Sequence, residues 1–376
     1  MKKILIISVS HFWYDSRVFF RVVKSILKKN NENSEIKVKL ITQNQKDNNT
    51  IHTENFEKEI IDSKINKLLL LILFVAKGII YKPDIVICIE PLTLISGILL
   101  KKKLNCRLIY DSHEFFAMAF AEKYKQTKSL YWFFEKALAK QTDAIITVNE
   151  ELVNHLSKAN SNTFLCANYP VKSLFLNEDN PVLTKKYDLI YAGGLCFERG
   201  LLQYLQAACY LKKANFNFTF AIIGVFFEKS TENFFHNYIK YHDLINNIKY
   251  IPYIPIEDVL LEIRQSKIGI FMGDINKRPR LDKTLNMKVL EYISQGVPVI
   301  VNESTVLKDF VNQSKCGWII PYSSKELFYL LKRIINNEFD LDIIGAKARD
   351  YIYKTYTWEN QEESLYEAIF GKDCES

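Results

Sequence analysis

Short apolar runs alternate with longer amphipathic stretches along almost the whole chain, and this alternation restricts the fold more than any other feature of the sequence. The runs are continuously apolar, as in KILIISV and DIVICIE, which is typical of strands buried on both faces of a parallel sheet. Amphipathic stretches between such strands are typical of helices that cover the two faces. The alternation therefore predicts an α/β fold built from doubly wound parallel sheets.

The predicted elements form two series. In the first series, strands and then helices are predicted over 3–9, 37–42, 84–90, 107–111, 143–148 and 163–167, and over 15–29, 65–80, 92–103, 117–140 and 149–158. In the second series, they are predicted over 187–194, 218–224, 247–251, 267–273, 297–302 and 316–321, and over 199–213, 231–243, 257–265, 285–295, 324–337 and 340–354.

Between the two series, residues 169–186 carry prolines, Asn and Asp without sustained periodicity, which indicates an interdomain linker. At 376 residues the chain is also longer than a single core usually grows. We predict a Rossmann-like domain over 1–168, a second over 187–355, and a final helical segment over 356–376. Ligands of doubly wound sheets bind beyond the carboxyl ends of the strands, so the two domains are expected to face each other across a cleft lined by residues that follow the strands.

Charge and cysteine content restrict the partners and the compartment. The formal net charge of +7 is modest for this length and is compatible with nucleotides or an anionic membrane face, and no nucleic-acid partner is expected. The seven cysteines are odd in number and form no CxxC pair, so neither a disulfide framework nor a zinc site is predicted. A reducing cytoplasm is the expected compartment.

Two apolar segments resemble membrane-targeting signals. The N-terminal run in MKKILIISVSHFW is short and is followed by no small-residue cleavage site, so we interpret it as a buried first strand rather than a signal peptide. Residues 68–80 are more apolar, but Lys77 interrupts them, and the segment is shorter than the roughly 20 residues that span a bilayer. A core helix is the preferred interpretation, and a helix that dips into a membrane surface stays open.

A glycine turn at the start of the second domain is the first candidate site. The sequence YAGGLCFERG, residues 191–200, places Gly193 and Gly194 after a strand and Arg199 near the start of a helix. Glycines let the backbone approach a ligand closely, and the N–H groups and positive dipole end of a helix suit a phosphate. Arg199 adds a fixed cation. The alternative is a purely structural turn.

The second candidate site lies in NMKVLEYISQGVPVIV, residues 286–301. Lys288 and Glu291 are three positions apart on the predicted helix, so they share one face. The helix follows the strand-end loop 273–284, which places its first turns at the expected ligand edge. A carboxylate there can bind vicinal hydroxyls such as those of ribose. The alternative is an ordinary surface pair of opposite charges.

Titratable side chains also follow a strand of the first domain. In LIYDSHEFF, Asp111, His113 and Glu114 come directly after the strand. Such a concentration of titratable groups at a strand end indicates chemistry. The alternative is a capping Asp together with a surface His.

The first strand-to-helix turn, SHFWYDSRVFFRVV, carries a weaker signal. Asp15 or Ser16 is placed to cap the helix. Arg17 in the first turn opposes the helix dipole unless its side chain reaches an anion. The turn lacks GxGxxG, which argues against a dinucleotide-dependent dehydrogenase.

Taken together, these motifs resemble the family 4 retaining glycosyltransferases, which have the GT-B fold. The resemblance covers essentially the whole chain and rests on DSRV, YDSHE, YAGGL with the following RG, and KVLEYISQGVPVI, of which the last is the most specific. It implies transfer of a sugar from a UDP- or GDP-linked donor to a carbohydrate or lipid-linked acceptor hydroxyl, with retained anomeric configuration and without a metal ion or cofactor. Surface polysaccharide or glycoconjugate synthesis is typical of the family, and a peripheral contact with the inner membrane face through 68–80 and 101–103 fits such acceptors. TWEN, 357–360, opens a last helix that in this fold crosses back to the first domain.

The resemblance also implies roles for single residues. Glu291 matches a glutamate that holds the donor ribose, and Arg199 matches a basic residue at the diphosphate. His113 matches a histidine near the donor sugar, and Ile254 falls where the nucleobase is contacted. The residues expected on the donor side are Gly193, Gly194, Arg199, Ile254, Lys288 and Glu291, and those expected on the acceptor side are Asp15 and Glu114.

Two positions depart from the family pattern. Lys283 replaces a glutamate that often stands eight positions before the ribose-binding glutamate, and Gly194 replaces a basic residue that often follows the first glycine of the turn. We hypothesise that the basic loop 274–283 supplies the missing charge, with a solvated loop as the alternative. A non-catalytic GT-B partner subunit and a nucleotide-sugar epimerase are the alternative functions. The candidates for additional diphosphate or sugar contacts are Arg17, Arg278, Arg280 and Lys283.

Overall fold

The computed structural model describes residues 1–11, 13–30, 35–43, 55–113, 128–176 and 183–371. The chain divides into two compact units. Unit 1 comprises Met1–Asn168 together with Trp358–Ser376, and unit 2 comprises Tyr169–Thr357. Each unit is built on its own parallel sheet with helices packed against it.

The described part of unit 1 holds a seven-stranded parallel sheet. Its strands are β1 Lys2–Ser8, β2 Ile36–Gln43, β3 Phe56–Ile61, β4 Ile85–Ile89, β5 Arg107–Ser112, β6 Ala144–Thr147 and β7 Thr163–Leu165. They lie in the order β3-β2-β1-β4-β5-β6-β7. Residues 4–8 of β1 are all buried, so both faces of this strand are covered, as its continuous apolar run predicts. The strand order reverses between β1 and β4, and such a switch point is where open α/β sheets bind ligands.

The helices of unit 1 follow the strands in sequence. They are a π-helical turn at Val18–Val23 that continues into α1 Lys24–Lys28, then α2 Lys67–Tyr81, α3 Thr93–Leu104, α4 Lys128–Ala139 and α5 Glu150–Leu156. A single hydrophobic cluster joins α2, α3 and α4 to one face of the sheet, through side chains such as Phe74, Ile98 and Ala139. One side of each of these three helices therefore packs on the same face of the sheet, and the other side faces away from it.

The described part of unit 2 holds a six-stranded parallel sheet. Its strands are β8 Tyr187–Ala192, β9 Phe220–Ile223, β10 Ile248–Ile251, β11 Ser266–Phe271, β12 Val299–Asn302 and β13 Gly317–Ile320. The order β10-β9-β8-β11-β12-β13 is the Rossmann arrangement, with its switch point between β8 and β11. The helices are α6 Leu201–Lys213, α7 Lys229–Tyr241, α8 Ile256–Arg264, α9 Met287–Ser294, α10 Thr305–Ser314, α11 Ser324–Ile335 and α12 Leu341–Thr355.

The last helical segment packs within unit 1. A 3-10 turn at Trp358–Gln361 leads into α13 Glu362–Phe370, which packs on β6 and β7. The indole Nε1 of Trp358 donates to Ser25 Oγ at 2.8 Å, and the hydroxyl of Tyr366 donates to the Ser25 carbonyl oxygen at 2.9 Å. The chain thus returns to the first sheet, as the GT-B resemblance implies.

The sequence does not predict strand β3. Its interior carries Glu57, Lys58 and Glu59, which breaks the apolar pattern. β3 lies at an edge of the sheet, where charged side chains are common because they discourage further strand pairing. Lys39 of β2 lies 2.9 Å and 3.0 Å from the carboxylates of Glu57 and Glu59, so ion pairs across the strands replace the missing apolar contacts.

Two further differences concern helices. Helix α10 is absent from the prediction, although Ser304 caps it by accepting from the Leu307 N–H at 3.2 Å. The helix predicted over 15–29 begins as the π-helical turn and becomes α-helical only at Lys24. Of the helix predicted over 117–140, the part that precedes α4 lies outside the described residues.

Within the described ranges, no helix combines the length and the apolar character needed to cross a membrane. Helix α2 buries Leu70, Leu71 and Phe74, as the core-helix interpretation predicts for that side. The six described cysteines are buried and form no disulfide, and Cys374 lies outside the described residues.

Candidate functional site

The glycine turn follows β8 at the switch point of the unit 2 sheet. The Gly193 N–H donates to the carbonyl oxygen of Ile223 at 2.9 Å, and the Tyr191 hydroxyl donates to the carbonyl oxygen of Gly194 at 2.8 Å. Gly224, just after β9, has a φ of 140°, and a Cβ atom there would lie 2.0 Å from the Gly193 carbonyl oxygen. The ends of β8 and β9 are therefore held in a backbone contact that requires glycine at 224.

Phe227 covers the turn beside Gly194. A Cβ atom at position 194 would lie 2.3 Å from Cζ of Phe227 and 3.1 Å from Nη1 of Arg199. The ring is 52% exposed, and the guanidinium carbons of Arg199 and Arg278 lie 5.2 Å and 6.0 Å from its centroid. A cation–π contact of an exposed ring contributes about 0.5–1 kcal/mol. Because residue 194 has no side chain, the Phe227 ring fits beside the turn. The guanidinium groups of Arg199 and Arg278 lie next to this ring.

Arg199 lies just before helix α6. It ends the 3-10 turn Phe197–Arg199, and Gly200 follows as the N-cap with a left-handed φ of 81°. Among the described residues no side chain caps this helix, and the buried Nε of Arg199 has no hydrogen-bond partner there. A buried donor without a partner costs about 1–3 kcal/mol. A cation with an unused donor next to uncapped N–H groups is a suitable environment for a phosphate.

Arg278 belongs to the loop between β11 and α9. The backbone N–H of Asp274 donates to the carbonyl oxygen of Glu198 at 2.9 Å, and the Glu198 carboxylate lies 3.9 Å from the Arg278 guanidinium. Near the other end of the loop, the Asp282 carboxylate accepts from the Thr305 N–H at 2.6 Å and from its hydroxyl at 3.0 Å. These contacts tie the loop down at both ends and hold the arginine next to the glycine turn.

Helix α9 is fixed to the sheet by Tyr292. The Tyr292 hydroxyl accepts from the Ala192 N–H of β8 at 2.8 Å. Its ring packs on Gly269 of β11, where a Cβ atom would lie 2.4 Å from the ring. The same side chain therefore locks the helix across the switch point between β8 and β11.

Lys288 and Glu291 lie on one side of α9, next to the glycine turn. Lys288 Nζ is 2.9 Å from Glu291 Oε2, and Glu291 is only 9% exposed, so this is not an ordinary surface pair. The Cε atom of Lys288 lies 3.6 Å from the position of a Cβ atom on Gly193. The structure thus brings the two strongest sequence candidates, the glycine turn and the α9 motif, together.

Three other predicted donor-side residues lie on neighbouring loops. Ile254 follows β10 and packs partly against the core of unit 2. Arg280 is half-buried in the 3-10 turn Pro279–Asp282, and Lys283 follows it in an exposed position. Their assigned contacts with the nucleobase, diphosphate or sugar stay predictions.

The structure corrects the prediction that Arg17 contacts a diphosphate or a sugar. The residue is 2% exposed, and its Nε and Nη2 donate to the Asp111 carboxylate at distances from 2.8 Å to 3.2 Å. Its Nη1 donates to the carbonyl oxygen of Cys166 at 2.9 Å and to Oδ1 of Asn168 at 2.7 Å. The anion that Arg17 reaches is internal, because a buried guanidinium requires a carboxylate and further acceptors around it.

Asp15 caps the π-helical turn, as predicted. Its Oδ1 accepts from the N–H groups of Arg17 at 2.8 Å and Val18 at 3.1 Å. Its Oδ2 lies 3.6 Å from Nδ1 of His11. Burial alone would raise the pKa of the Asp15 carboxyl, but the hydrogen bond and the charge of His11 hold it well below its usual range. Its role on the acceptor side stays a prediction.

His113 lies directly after β5 and is 6% exposed. Its Nε2 is 2.9 Å from Nε2 of His11, with the two rings edge to face. Burial lowers the pKa of His113 to about 4, with His11 and Arg17 acting in the same direction and Asp111 opposing them. His113 is therefore neutral near neutral pH. Its role near the donor sugar stays a prediction.

Glu90 also lies in this group of titratable side chains and is not among the residues predicted from the sequence. It follows β4 with a φ of 68°, a left-handed conformation that is uncommon outside glycine. Its carboxylate accepts from the Val9 N–H at 2.9 Å, the Ser10 N–H at 3.1 Å and the Ser8 hydroxyl at 3.0 Å. Burial raises the pKa of Glu90, while His11 and these hydrogen bonds oppose the rise. The sequence signal that could have identified Glu90 is its position directly after the apolar run of β4.

Glu114, the other acceptor-side candidate, lies outside the described residues, and its role stays a prediction. Among the residues that the structure describes, no group of three or more His, Cys, Asp or Glu side chains is arranged to hold a metal ion. Metal-independent catalysis stays a prediction as well.

Sequence comparison links unit 2 to a known family. Residues 175–358 match the family model described as glycosyl transferases group 1, and this range contains nearly all of unit 2. Over 129 residues the chain is also 23% identical to glucosyltransferase 3 of Streptococcus parasanguinis. That stretch is 34% of this chain and 39% of the relative, so the match spans well under half of the relative's length.

Solved structures resemble the whole chain. Sucrose-phosphate synthase from Thermosynechococcus elongatus superposes with a TM-score of 0.76 at 14% identity and covers 97% of both chains. The HepE protein of Anabaena in complex with UDP-glucose superposes with a TM-score of 0.72 at 14% identity, over 98% of this chain and 99% of that one. At such identity the likeness shows the fold, and the predicted GT-B fold is confirmed. Residues 175–358 are thus similar to the group 1 glycosyl transferases.

Proposed function

We propose that the chain transfers a sugar from a nucleoside diphosphate sugar to a hydroxyl of a carbohydrate or lipid-linked acceptor, with retention of the anomeric configuration. The observation that carries the proposal is the pair of guanidinium groups of Arg199 and Arg278 over Phe227, at the glycine turn of a unit that is similar to the group 1 glycosyl transferases. The similar HepE structures contain UDP or UDP-glucose, which supports a UDP-linked donor.

Catalysis then depends on the leaving group. The bond between the anomeric carbon and the diphosphate oxygen breaks while the acceptor oxygen bonds to that carbon on the same face, and the proton of the acceptor hydroxyl passes to the departing diphosphate oxygen. The departing diphosphate gains negative charge, which Arg199 and Arg278 stabilise together with the uncapped N–H groups of α6. Fixed cations of this kind perform the charge stabilisation that a metal ion performs elsewhere, so no metal is required.

Other residues of unit 2 hold the nucleoside. Glu291 accepts hydrogen bonds from the ribose hydroxyls, and Lys288, at 2.9 Å from its Oε2, orients this carboxylate. Ile254 contacts the base. Arg280 and Lys283 supply additional positive charge around the diphosphate or the sugar.

Unit 1 binds the acceptor in this proposal, with Asp15 and Glu114 on the acceptor side and His113 near the donor sugar. A glucosyltransferase among the relatives supports a hexose as the transferred sugar. Surface polysaccharide or glycoconjugate synthesis in the cytoplasm is the process that suits such a reaction.

A peripheral membrane contact fits the outer sides of α2, α3 and α4. These helices share one hydrophobic cluster on their inner sides. Large apolar side chains are exposed on them, namely Leu68, Leu69, Ile72, Ile80, Leu99, Leu130, Phe133 and Phe134. Exposed lysines lie on or beside the same helices, namely Lys64, Lys67, Lys102, Lys103 and Lys140. Apolar side chains among lysines suit an anionic lipid surface, such as the inner face of a membrane that carries a lipid-linked acceptor.

Flotation with vesicles tests the membrane contact. The chain is expected to float with vesicles that contain phosphatidylglycerol. It should not float with vesicles of pure phosphatidylcholine. The double variant Ile72→Ser/Phe133→Ser should lose flotation, whereas Tyr241→Ser, at an 85% exposed aromatic position of unit 2, should not. Equal flotation of the double variant and the unaltered chain would remove this part of the proposal.

Thermal shift and turnover together test the transferase function. A donor at about 100 times its Kd stabilises the chain by about 2.7 kcal/mol, so a panel of UDP- and GDP-sugars identifies the donor. The same sugars are then assayed for nucleotide release with and without glycoside acceptors. Release that depends on the acceptor is expected, together with a product of retained configuration by NMR. Stabilisation without any release would indicate the partner subunit, and conversion of the donor sugar without an acceptor would indicate the epimerase.

A further inference from the structure

Two of the cations around the glycine turn of unit 2 lie beside carboxylates. Lys288 Nζ is 2.9 Å from Oε2 of Glu291, which is within hydrogen-bond distance. Arg278 Nη2 is 3.9 Å from Oε2 of Glu198, which is longer than the roughly 2.7–2.9 Å of a charge-assisted hydrogen bond. Glu291 has a role in the proposed donor site, but Glu198 has none. An acidic side chain beside a site for a diphosphate needs an explanation, because it repels that ligand.

The backbone holds Glu198 at this position. The residue belongs to the 3-10 turn that ends at Arg199, and its carbonyl oxygen accepts from the Asp274 N–H at 2.9 Å. The Tyr322 hydroxyl donates to the carbonyl oxygen of Phe197, in the same turn, at 3.2 Å. These contacts use backbone oxygens, so the Glu198 carboxylate takes no part in them. It stays next to the loop that carries Arg278 without being needed to hold the turn.

The distance between Glu198 and Arg278 balances charge without occupying the guanidinium. The two side chains are 33% and 20% exposed, so their attraction is screened less than in bulk water. At 3.9 Å the carboxylate does not form a hydrogen bond with the N–H groups of Arg278. The Arg278 donors that face Glu198 therefore stay available to an anion that comes closer.

A counter-charge is required because two cations share one ring. The guanidinium carbons of Arg199 and Arg278 lie 5.2 Å and 6.0 Å from the centroid of Phe227, and like charges repel. Burial raises the pKa of Glu198, but its own backbone N–H, the Cys196 thiol and the charge of Arg278 outweigh this effect and hold the pKa below its usual range. Glu198 is therefore ionised at neutral pH and offsets the repulsion between the two arginines.

A bound diphosphate reverses the effect of Glu198. Its oxygens accept hydrogen bonds from the arginines and bring more negative charge than one carboxylate does. The arginines then have another counter-charge, and Glu198 is a surplus negative charge next to the ligand. The same carboxylate thus stabilises the empty site and destabilises the occupied one.

We propose that Glu198 is the counter-charge that the donor diphosphate replaces at Arg278, and that it speeds the release of the nucleoside diphosphate after transfer. In the empty site, Glu198 balances Arg278. In the occupied site, Arg278 donates to the diphosphate while Glu198 repels it, and the pair forms again when the nucleotide leaves. Glu198 is a positioning residue that acts through Arg278. The identity of the ligand rests on the proposed transferase function.

UDP binding to the full chain tests the role in release. Glu198→Gln retains the length of the side chain and the backbone contact with Asp274. It is expected to tighten UDP binding by about threefold or more in calorimetry at low salt. The exchange of bound and free UDP in phosphorus-31 NMR should slow by a similar factor, because affinity differences lie mostly in the dissociation rate.

Salt dependence separates this role from a structural one. Both effects of Glu198→Gln should shrink in about 0.5 M salt, which screens partly exposed charges, and the midpoint of urea unfolding should not change. Glu257→Gln removes the same charge from the first turn of α8 and should leave UDP binding unaltered. Unchanged or weaker UDP binding in Glu198→Gln overturns the proposal.

Carbon-13 NMR of the carboxyl groups tests the pairing in the chain without nucleotide. The Glu198 signal is assigned by its loss in Glu198→Gln. The pKa of Glu198 is expected to rise in Arg278→Gln, whereas Lys229→Gln, which removes the partner of Glu232, should leave it unchanged. An equal Glu198 pKa in the unaltered chain and in Arg278→Gln overturns the proposal. Failure of the unaltered chain to bind any UDP or GDP nucleotide contradicts the proposed function instead, and the titration then decides the pairing.

Discussion

The ring of Phe227 occupies the space into which a side chain at position 194 would project. The family pattern often places a basic residue there, and this chain has Gly194 in its place. The same ring lies under the guanidinium groups of Arg199 and Arg278. A cation from a neighbouring loop, supported by an aromatic ring, thus stands near the position of the missing basic side chain, which favours an active donor site over a non-catalytic one.

Gly194→Ala is expected to weaken UDP binding several-fold and to lower the free energy of unfolding by about 1–2 kcal/mol. The added Cβ meets the end of an exposed side chain rather than backbone, so the protein adjusts by moving the ring. That movement removes the cation–π contacts of both arginines, each worth about 0.5–1 kcal/mol. Isothermal calorimetry with UDP and urea unfolding measure the two effects.

A double-mutant cycle checks that the effect runs through the ring. Phe227→Ala should weaken UDP binding by a similar factor, and Gly194→Ala should add little in that background, because coupled sites are not additive. Phe227→Tyr retains an aromatic face and serves as the matched control. Fully additive losses in the double variant would contradict this account.

Glu291→Ala is expected to weaken UDP binding by about tenfold or more. Hydrogen bonds to a charged group contribute about 1.5–3 kcal/mol, and tenfold corresponds to about 1.4 kcal/mol. If the carboxylate holds the ribose, the variant should also lose the preference for UDP over 2′-deoxy-UDP. Glu257→Ala, in the first turn of α8, is the control at an exposed carboxylate. Unaltered affinity and preference in Glu291→Ala would refute the ribose assignment.

Asp111→Asn is expected to destabilise unit 1 by about 3–5 kcal/mol, since it leaves the buried Arg17 guanidinium without its counter-charge. The hydrogen bonds of Arg17 to Asp111 span 2.8–3.2 Å, and Arg17 also supports the chain at Cys166 and Asn168. Urea unfolding measures the loss. The double variant Arg17→Met/Asp111→Leu should lose less than Asp111→Asn does, because it leaves no unpaired charge. A loss below about 1 kcal/mol in Asp111→Asn would show that the pair is not structural.

Local patterns in the sequence predict most of the strands and helices well, because their signals lie within one strand–turn–helix unit. The glycine turn and the Lys288–Glu291 face are both of this kind. Contacts between distant segments are different. Arg17 and Asp111 are 94 positions apart, so the sequence shows a cation in a first helical turn but not that its anion is internal. His11 and Glu90 are in contact, but they come from two strand ends that are adjacent only in the folded sheet, so a local pattern does not show this contact either. The charged residues of edge strand β3 hide it from a search for apolar runs.

His113→Gln is expected to flatten the pH dependence of stability between about pH 4 and 6.5. The pKa of His113 is about 4 in the folded chain against an ordinary 6.5, so in this window the unfolded chain binds more protons. The free energy of unfolding therefore rises with pH here, by up to about 1.4 kcal/mol per pH unit. The contribution of His113 is fully present above pH 6.5 and is lost as pH falls toward 4.

Two other groups also make stability depend on pH. The lowered pKa of Asp15 acts in the same direction at lower pH, and the raised pKa of Glu90 acts in the opposite direction. The informative quantity is therefore the difference in the free energy of unfolding between the variant and the unaltered chain. Urea unfolding across this range measures it, with His242→Gln in unit 2 as the control. Parallel pH profiles for the unaltered chain and His113→Gln would mean that the buried imidazole is not held in its neutral form.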